Sequence, residues 1–450
     1  MFKQCFMNWM IPVISATMVV GCGGAETTII EKDPIVDAGD DHDHDAQGRL
    51  VITNASSSEA TIYNLEDNTV LDSFSLSGAL SGLYASAGYR YAVLVDRTGG
   101  TVQFIDGGLY QEDHVDHLHP YEEAPVLLEY SLAGSRPTHI VTHENQLAIF
   151  YDGDEATAAP AEVTILSDSD IAAETAMPLS IDYGLNMHGV AEPRGETVFS
   201  TWRRDDADST SANKILPDQV AVYHLHDGVY EQEQILDVNC PDLHGAAQNE
   251  AFIIFGCSDG VMLVHEHDGD YEAEKLSNPD ELEDGLRIGS IYAHENSEQF
   301  IALASAHGGT SVQWFVIDPD ESEIELIDWQ PMENAQVVSR GFSFQAEQFL
   351  ILDNQGYLTV LEPHEHDGHT HWEFGLRLDI TDEDINNLPD GTNFSLTFAQ
   401  NGHHAYVSDP IAQHIVVIDL DLMELDGDIE LNFIPKSIAW LGIAEAHEHD

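Results

Sequence analysis

From Gly48 onward the chain repeats, and this repeat restricts the fold more than any other feature of the sequence. One series of strand-like segments reads Arg49–Asn54, Arg90–Asp96, Gln146–Asp152, Thr197–Trp202, Ala251–Cys257, Gln299–Ser305, Gln348–Asn354 and His404–Asp409. A second series follows it member by member, from Ala60–Leu65 through Val261–Glu266 to His414–Leu420. Val, Ile, Phe and Tyr alternate with polar residues in many of these segments, as half-buried strands require, and Gly, Asp and Asn mark the turns. A third series, short and rich in small residues, precedes the first: Gly82–Ser86, His139–His143, His188–Glu192, His244–Gln248, Ser290–His294, Gly341–Gln345, Ser395–Ala399 and Ser437–Leu441. Units spaced by about 40–60 residues have the period of propeller blades. The pattern predicts an all-β fold, a β-propeller of eight blades, with seven as the competitor because long loops can mimic strands. The unit begun by Arg49–Asn54 has no inner strand before it, and Ser437–Leu441 has no strand after it. Circular closure joins the two in one blade and leaves no open sheet edge around the ring.

The residues before the repeat read differently. Lys3, the apolar run Phe6–Val20 and then Gly21-Cys22 resemble a bacterial lipoprotein signal, with Cys22 as the lipidated residue. The apolar run is shorter than the ~20 residues of a spanning helix. The expected organisation is a signal at 1–21, a flexible tether at 22–47 carrying Asp40-Asp41-His42-Asp43-His44-Asp45, a single propeller at 48–443 and an acidic, His-containing tail at 444–450. The expected location is exported and lipid-anchored, on the periplasmic side of a bacterial membrane, with the lipid as the only membrane contact.

Charge narrows the partners. Fifteen Lys and Arg against 81 Asp and Glu leave a net charge of −66, which excludes binding nucleic acid or anionic lipid by charge and favours cations. Solubility in a salty habitat accounts for much of the acid but not for the 24 histidines.

Three of those histidines stand out: Thr138-His139-Ile140, Met187-His188-Gly189 and Leu243-His244-Gly245 begin three consecutive inner segments. At one register in adjacent blades, their imidazoles converge on the channel mouth. Neutral imidazoles are good ligands for Zn²⁺ and for Cu²⁺, and zinc is the expected metal. Asp152 or Asp154 is a candidate fourth ligand, with water as the alternative. His143 and His294 lie further along their strands and are expected to matter less.

Other histidines cluster with carboxylates. His114, His117 and His119 form one tract, and His364, His366, His369 and His371 another. Smaller groups sit at His224/His226 and His265/His267, and near both termini. Such tracts offer many N and O ligands without a fixed cage, suited to weak, exchangeable metal capture. Most follow a second-series strand, at hairpin turns away from the triad's end of the strands.

Cys5 would leave with the signal and Cys22 would carry lipid. Cys240 and Cys257 then remain, flanking adjacent strands in an oxidising compartment. A disulfide is expected, with a thiolate metal pair beside His244 as the alternative. Enzyme signatures are weak: there is no His-Glu-x-x-His and no phosphate-binding glycine loop, and Gly256-Cys257-Ser258-Asp259-Gly260 matches Gly-x-Ser-x-Gly only in letters, since it joins two strand-like segments and not a strand to a helix. A lactonase-like propeller hydrolase would hold Ca²⁺ with channel carboxylates and amides, so it ranks below a binding protein. A non-catalytic adhesion or scaffold propeller is the other alternative.

Glu112-Asp113-His114, Arg136-Pro137-Thr138-His139, Tyr151-Asp152-Gly153-Asp154, His188-Gly189-Val190-Ala191 and the pair Cys240-Pro241-Asp242-Leu243-His244-Gly245 and Gly256-Cys257-Ser258-Asp259-Gly260 together resemble the AztD family of periplasmic zinc metallochaperones. The resemblance spans roughly residues 48–443, and the cysteine-histidine stretch is its most specific part. It implies a β-propeller that binds zinc, with a Cys240–Cys257 disulfide, and that delivers the ion by ligand exchange to the substrate-binding protein of a zinc ABC importer. No enzymatic activity is implied. A monomer is expected.

Overall fold

The structure is a computed structural model that describes residues 48–445 apart from 114–117, 205–215, 268–269, 307–310 and 367. The chain separates into two compact units, residues 1–43 and 44–450, and the described residues all lie in the second. Cys22, His42, His44, His114, His117, His447 and His449 therefore fall outside the described residues.

Eight four-stranded antiparallel sheets form a ring, an eight-bladed β-propeller. In chain order from the channel outward, blade 3 is Pro137–His143, Gln146–Tyr151, Glu162–Leu166 and Leu179–Asp182. Blades 4 to 8 repeat this meander, with inner strands Ala191–Arg194, Ala246–Gln248, Arg287–Tyr292, Val337–Phe342 and Ser395–Phe398. Blade 2 starts at Gly82–Ala85 and carries an extra hairpin, Leu109–Asp113 with Leu118–Glu122, before its outer strand Val126–Ala133.

Blade 1 is made by both ends of the ring. Its inner strand is Pro435–Gly442, antiparallel to Gly48–Asn54, with Leu50 opposite Trp440 and Thr53 opposite Ser437. Trp440 is fully buried at this seam and Tyr89 of blade 2 meets its ring edge-on. Truncating such a side chain costs about 3–5 kcal/mol.

Alternation along the strands fixes where the core sits. Both faces of each blade are apolar, so neighbouring blades pack face to face. The buried apolar residues form eight clusters, each shared by two adjacent blades and together running round the ring. Between blades 3 and 4, for example, Phe150 and Val163 meet Val198, Ala221 and Tyr223.

Two inner strands begin later than the sequence suggests. In blades 4 and 5 pairing starts at Ala191 and Ala246, so His188 and His244 precede the ladder, whereas His139 lies inside its strand opposite Phe150. The three histidines do not share one strand register. The reason is the glycine after two of them. A Cβ on Gly189 would collide with the Thr201 hydroxyl and the Phe150 ring, and Gly245 has a left-handed φ of +75° against the Gly289 carbonyl.

Candidate metal centre

The triad sits at the end of the ring where inner strands begin and second strands finish. Three different backbone devices bring it together. Thr138 is the extra residue of a β-bulge, since Pro137 pairs with Tyr151 and His139 with Phe150, and the bulge re-aims His139 toward the axis. His188 is held by its neighbours: the Met187 amide donates to the Asp152 carbonyl at 3.0 Å and the Val190 amide to the Thr201 hydroxyl at 3.1 Å. His244 is tied by its own amide to the Gly256 carbonyl at 2.9 Å, beside the Cys240–Cys257 disulfide.

The imidazoles converge through Nε2. His188 Nε2 lies 3.2 Å from His139 Nε2 and 3.3 Å from His244 Nε2, and the potential ligand atoms of all three fall within 4.8 Å of one another. The other nitrogens of His188 and His244 face outward. His188 Nδ1 donates to Asp152, 3.2 Å from each carboxylate oxygen. His244 Nδ1 donates at 2.9 Å to the carbonyl of Gly289, which is itself the extra residue of a bulge in blade 6.

Those outward bonds decide what the centre can do. With acceptors at both Nδ1 positions, the neutral rings of His188 and His244 carry their protons on Nδ1. Their Nε2 atoms then present lone pairs to each other, so the 3.3 Å contact is not a hydrogen bond. A cation between them satisfies both. Tetrahedral Zn²⁺ with Zn–N of about 2.0–2.1 Å needs an N···N separation of about 3.3–3.4 Å, and His188 and His244 stand 3.3 Å apart.

Burial holds His139 uncharged. The His139 imidazole is pushed down to about 3, first by burial and then by the neighbouring His188 and His244. Burial alone would raise the Asp152 carboxyl; the hydrogen bonds from His188 and Arg97 outweigh it and leave the group lowered and ionised. The side chain of His188 is 30 % exposed, so the group is reachable from solvent.

The candidate fourth ligands take other places. Asp152 stands behind His188, on its Nδ1 side, and receives Arg97 Nη2 at 2.9 Å. It orients His188; it does not face the convergence point. The Asp154 carboxylate accepts from the Ala156 amide at 2.9 Å and caps the turn at Glu155–Thr157. Water or an incoming group fits the open position better than either.

The described tracts at His224/His226, His265/His267 and His364–His371 lie at the opposite end of the ring, at turns between third and outer strands. His364 pairs across the blade 7 hairpin with His371, and His366 with His369. His371 Nδ1 is 2.9 Å from Glu325 of blade 6, and His226 Nε2 is 2.8 Å from Glu233. His119 lies on the blade 2 hairpin against Tyr121; His114 and His117 are outside the described residues. His143 and His294 occupy the same far end as the tracts.

Sequence reasoning missed two participants and one separate cluster. Arg97 follows the second strand of blade 2, as Asp152 does that of blade 3, and only that positional match could have flagged it. The Gly289 carbonyl left no signal beyond a glycine. A second group, Glu347, His403 and Asp421, brings potential ligand atoms within 4.8 Å of one another at the far end. His403 Nδ1 lies 3.1 Å from Asp421 and 3.8 Å from Glu347. Its members come from three separate turns, which no local motif reveals.

In class, the chain is an eight-bladed propeller with an imidazole-lined mouth. No protein-family profile matches it. It is similar to the zinc chaperone AztD of Citrobacter koseri (strain ATCC BAA-895 / CDC 4225-83 / SGSC4696), with 22 % identity over 438 residues, 89 % of this chain and 90 % of the relative. The solved structure of apo AztD from Citrobacter koseri superposes with a TM-score of 0.71 at 21 % identity, covering 89 % of this chain and 99 % of that one. A further crystal structure of Citrobacter koseri AztD gives 0.70 at 20 %, covering 89 % and 100 %. The dihydro-heme d1 dehydrogenase NirN, in complex with DHE, follows at 0.57 and 12 %, covering 88 % and 76 %. The resemblance to AztD read from the motifs is thus matched along the whole propeller.

Proposed function

We propose that this protein is a zinc metallochaperone that captures Zn²⁺ at His139, His188 and His244 and passes it on by ligand exchange. One observation carries the reading: two imidazoles bonded outward through Nδ1 bring their Nε2 atoms to 3.3 Å, and a third completes the face. The similarity to a zinc chaperone supports it. Three neutral ligands and an open position suit transfer, because an acceptor's ligand can bind before the donor's leave. A hydrolase built on a hard cation would instead present carboxylates and amides.

The acceptor in this reading is the substrate-binding protein of a zinc ABC importer. The protein works as a monomer, exported and held on the periplasmic side by lipid on Cys22. Its His and Asp tracts raise the local metal concentration around it.

Metal analysis and competition titration with a chromophoric chelator test the function. One tightly bound zinc per chain is expected, lost in the His139→Ala, His188→Ala and His244→Ala variants while the fold survives. A triple alanine variant with parental affinity ends the proposal.

A further inference from the structure

Arg97 occupies an unexpected place. The chain has only 15 Lys and Arg, yet one of them lies a single residue behind a site suited to a dication. Its Nη2 donates to Asp152 Oδ2 at 2.9 Å and its Nε to Thr138 Oγ1 at 3.0 Å. Asp152 orients His188, and Thr138 is the bulge residue next to His139. The guanidinium from blade 2 therefore grips the supports of two ligands in blades 3 and 4.

The distances show how the carboxylate is shared. Charge-assisted N–H···O bonds run to about 2.7–2.9 Å. Arg97 reaches Asp152 at that length, whereas His188 Nδ1 stays 3.2 Å from both oxygens. A carboxylate held firmly against Nδ1 raises the basicity of the ring and strengthens its bond to a metal. One divided with an arginine does so less.

On the reading that the triad binds zinc, we propose that Arg97 is a positioning residue that keeps the site weaker than it could be, by drawing Asp152 away from His188. The consequence is a centre that releases its ion on contact with an acceptor. Arg97 acts through Asp152 and touches no metal.

The test measures zinc affinity and the rate of release to excess chelator in the full chain. Arg97→Gln is expected to bind zinc about tenfold tighter and to release it correspondingly more slowly, in the range of outer-sphere effects on metal sites. A purely structural arginine would change affinity in the other direction. Arg97→Lys keeps the charge and should lie nearer the parent. In an Asp152→Asn background, Arg97→Gln should give no gain. Unchanged or weaker binding in Arg97→Gln, or an equal gain without the carboxylate, overturns the proposal. If thermal melting shows that Arg97→Gln does not fold, Thr138→Val loosens the guanidinium and should tighten zinc by a smaller factor; no gain there overturns it equally. Failure of the zinc reading itself is distinguishable, because the triple histidine variant would then retain parental affinity.

Discussion

Asp152 and His188 belong to different blades, yet both carboxylate oxygens of Asp152 lie 3.2 Å from His188 Nδ1. The contact crosses a blade boundary, so ring assembly, not a local loop, orients the His188 ring. Zinc affinity should therefore be sensitive to this side chain although it faces away from the ion. Asp152→Asn is expected to weaken tight zinc binding about 10–100-fold with the fold intact. Competition titration and a thermal melt of the metal-free protein check both halves.

The disulfide should act on the same site. Cys240 and Cys257 are bonded 17 residues apart, and the enclosed segment contains His244. Closing a loop of that length is worth about 3 kcal/mol. The double Cys→Ser variant should fold with reduced stability and bind zinc more weakly, because His244 loses one of the ties on its segment. Thiol titration of the denatured, unreduced parent should find no free thiol at either position.

A buried carboxyl in the channel sets a stability trend with pH. Glu192 is fully buried on the inner strand of blade 4 and is raised to about 8 by burial, with the hydrogen bond from Gln248 at 3.0 Å opposing. The native protein keeps this proton where the unfolded chain has released it. Its contribution to stability is thus fully present below the unfolded carboxyl value near ~4.3 and is lost as pH rises toward about 8. Glu192→Gln keeps the Gln248 contact without a titrating proton. Its melting temperature should fall less than the parent's between pH 5 and pH 8 and should exceed the parent's by a few degrees at the upper end.

The blade 7 tract is separated from the triad by the length of the strands. Replacing His364, His366, His369 and His371 with Ala should lower the number of weakly bound zinc ions and leave the tight site unchanged. Equilibrium dialysis at two free-zinc levels separates the populations. A large loss of tight binding would mean that the two ends communicate.

Apolar runs and turn residues made the blades legible, because second strands such as Tyr91–Asp96 and Gln146–Tyr151 are buried on both faces and each blade repeats the same solution. Closure was legible for the same reason: an unpaired first strand and an unpaired last one are each other's only economical partners, and Leu50 does lie opposite Trp440. The convergence of His139, His188 and His244 was legible from their place in consecutive units. Their exact steps along the strands were not, since the bulge at Thr138 and the left-handed Gly245 shift the backbone by fractions of a turn that no pattern records. Asp152 was singled out as a ligand because a carboxylate beside histidines suggests coordination. Only the three-dimensional direction of Nδ1 shows that it backs the ring. Arg97 and Gly289 act from other blades, and sequence spacing carries no information about such contacts.

The closing seam also gives the ring a direction. Gly48 pairs with Gly442 at the end where inner strands finish, and the Gly442 amide is bonded to Tyr89 at that same end. The triad opens at the other. The described chain therefore enters the ring at Gly48 on the face opposite the one where His139, His188 and His244 converge.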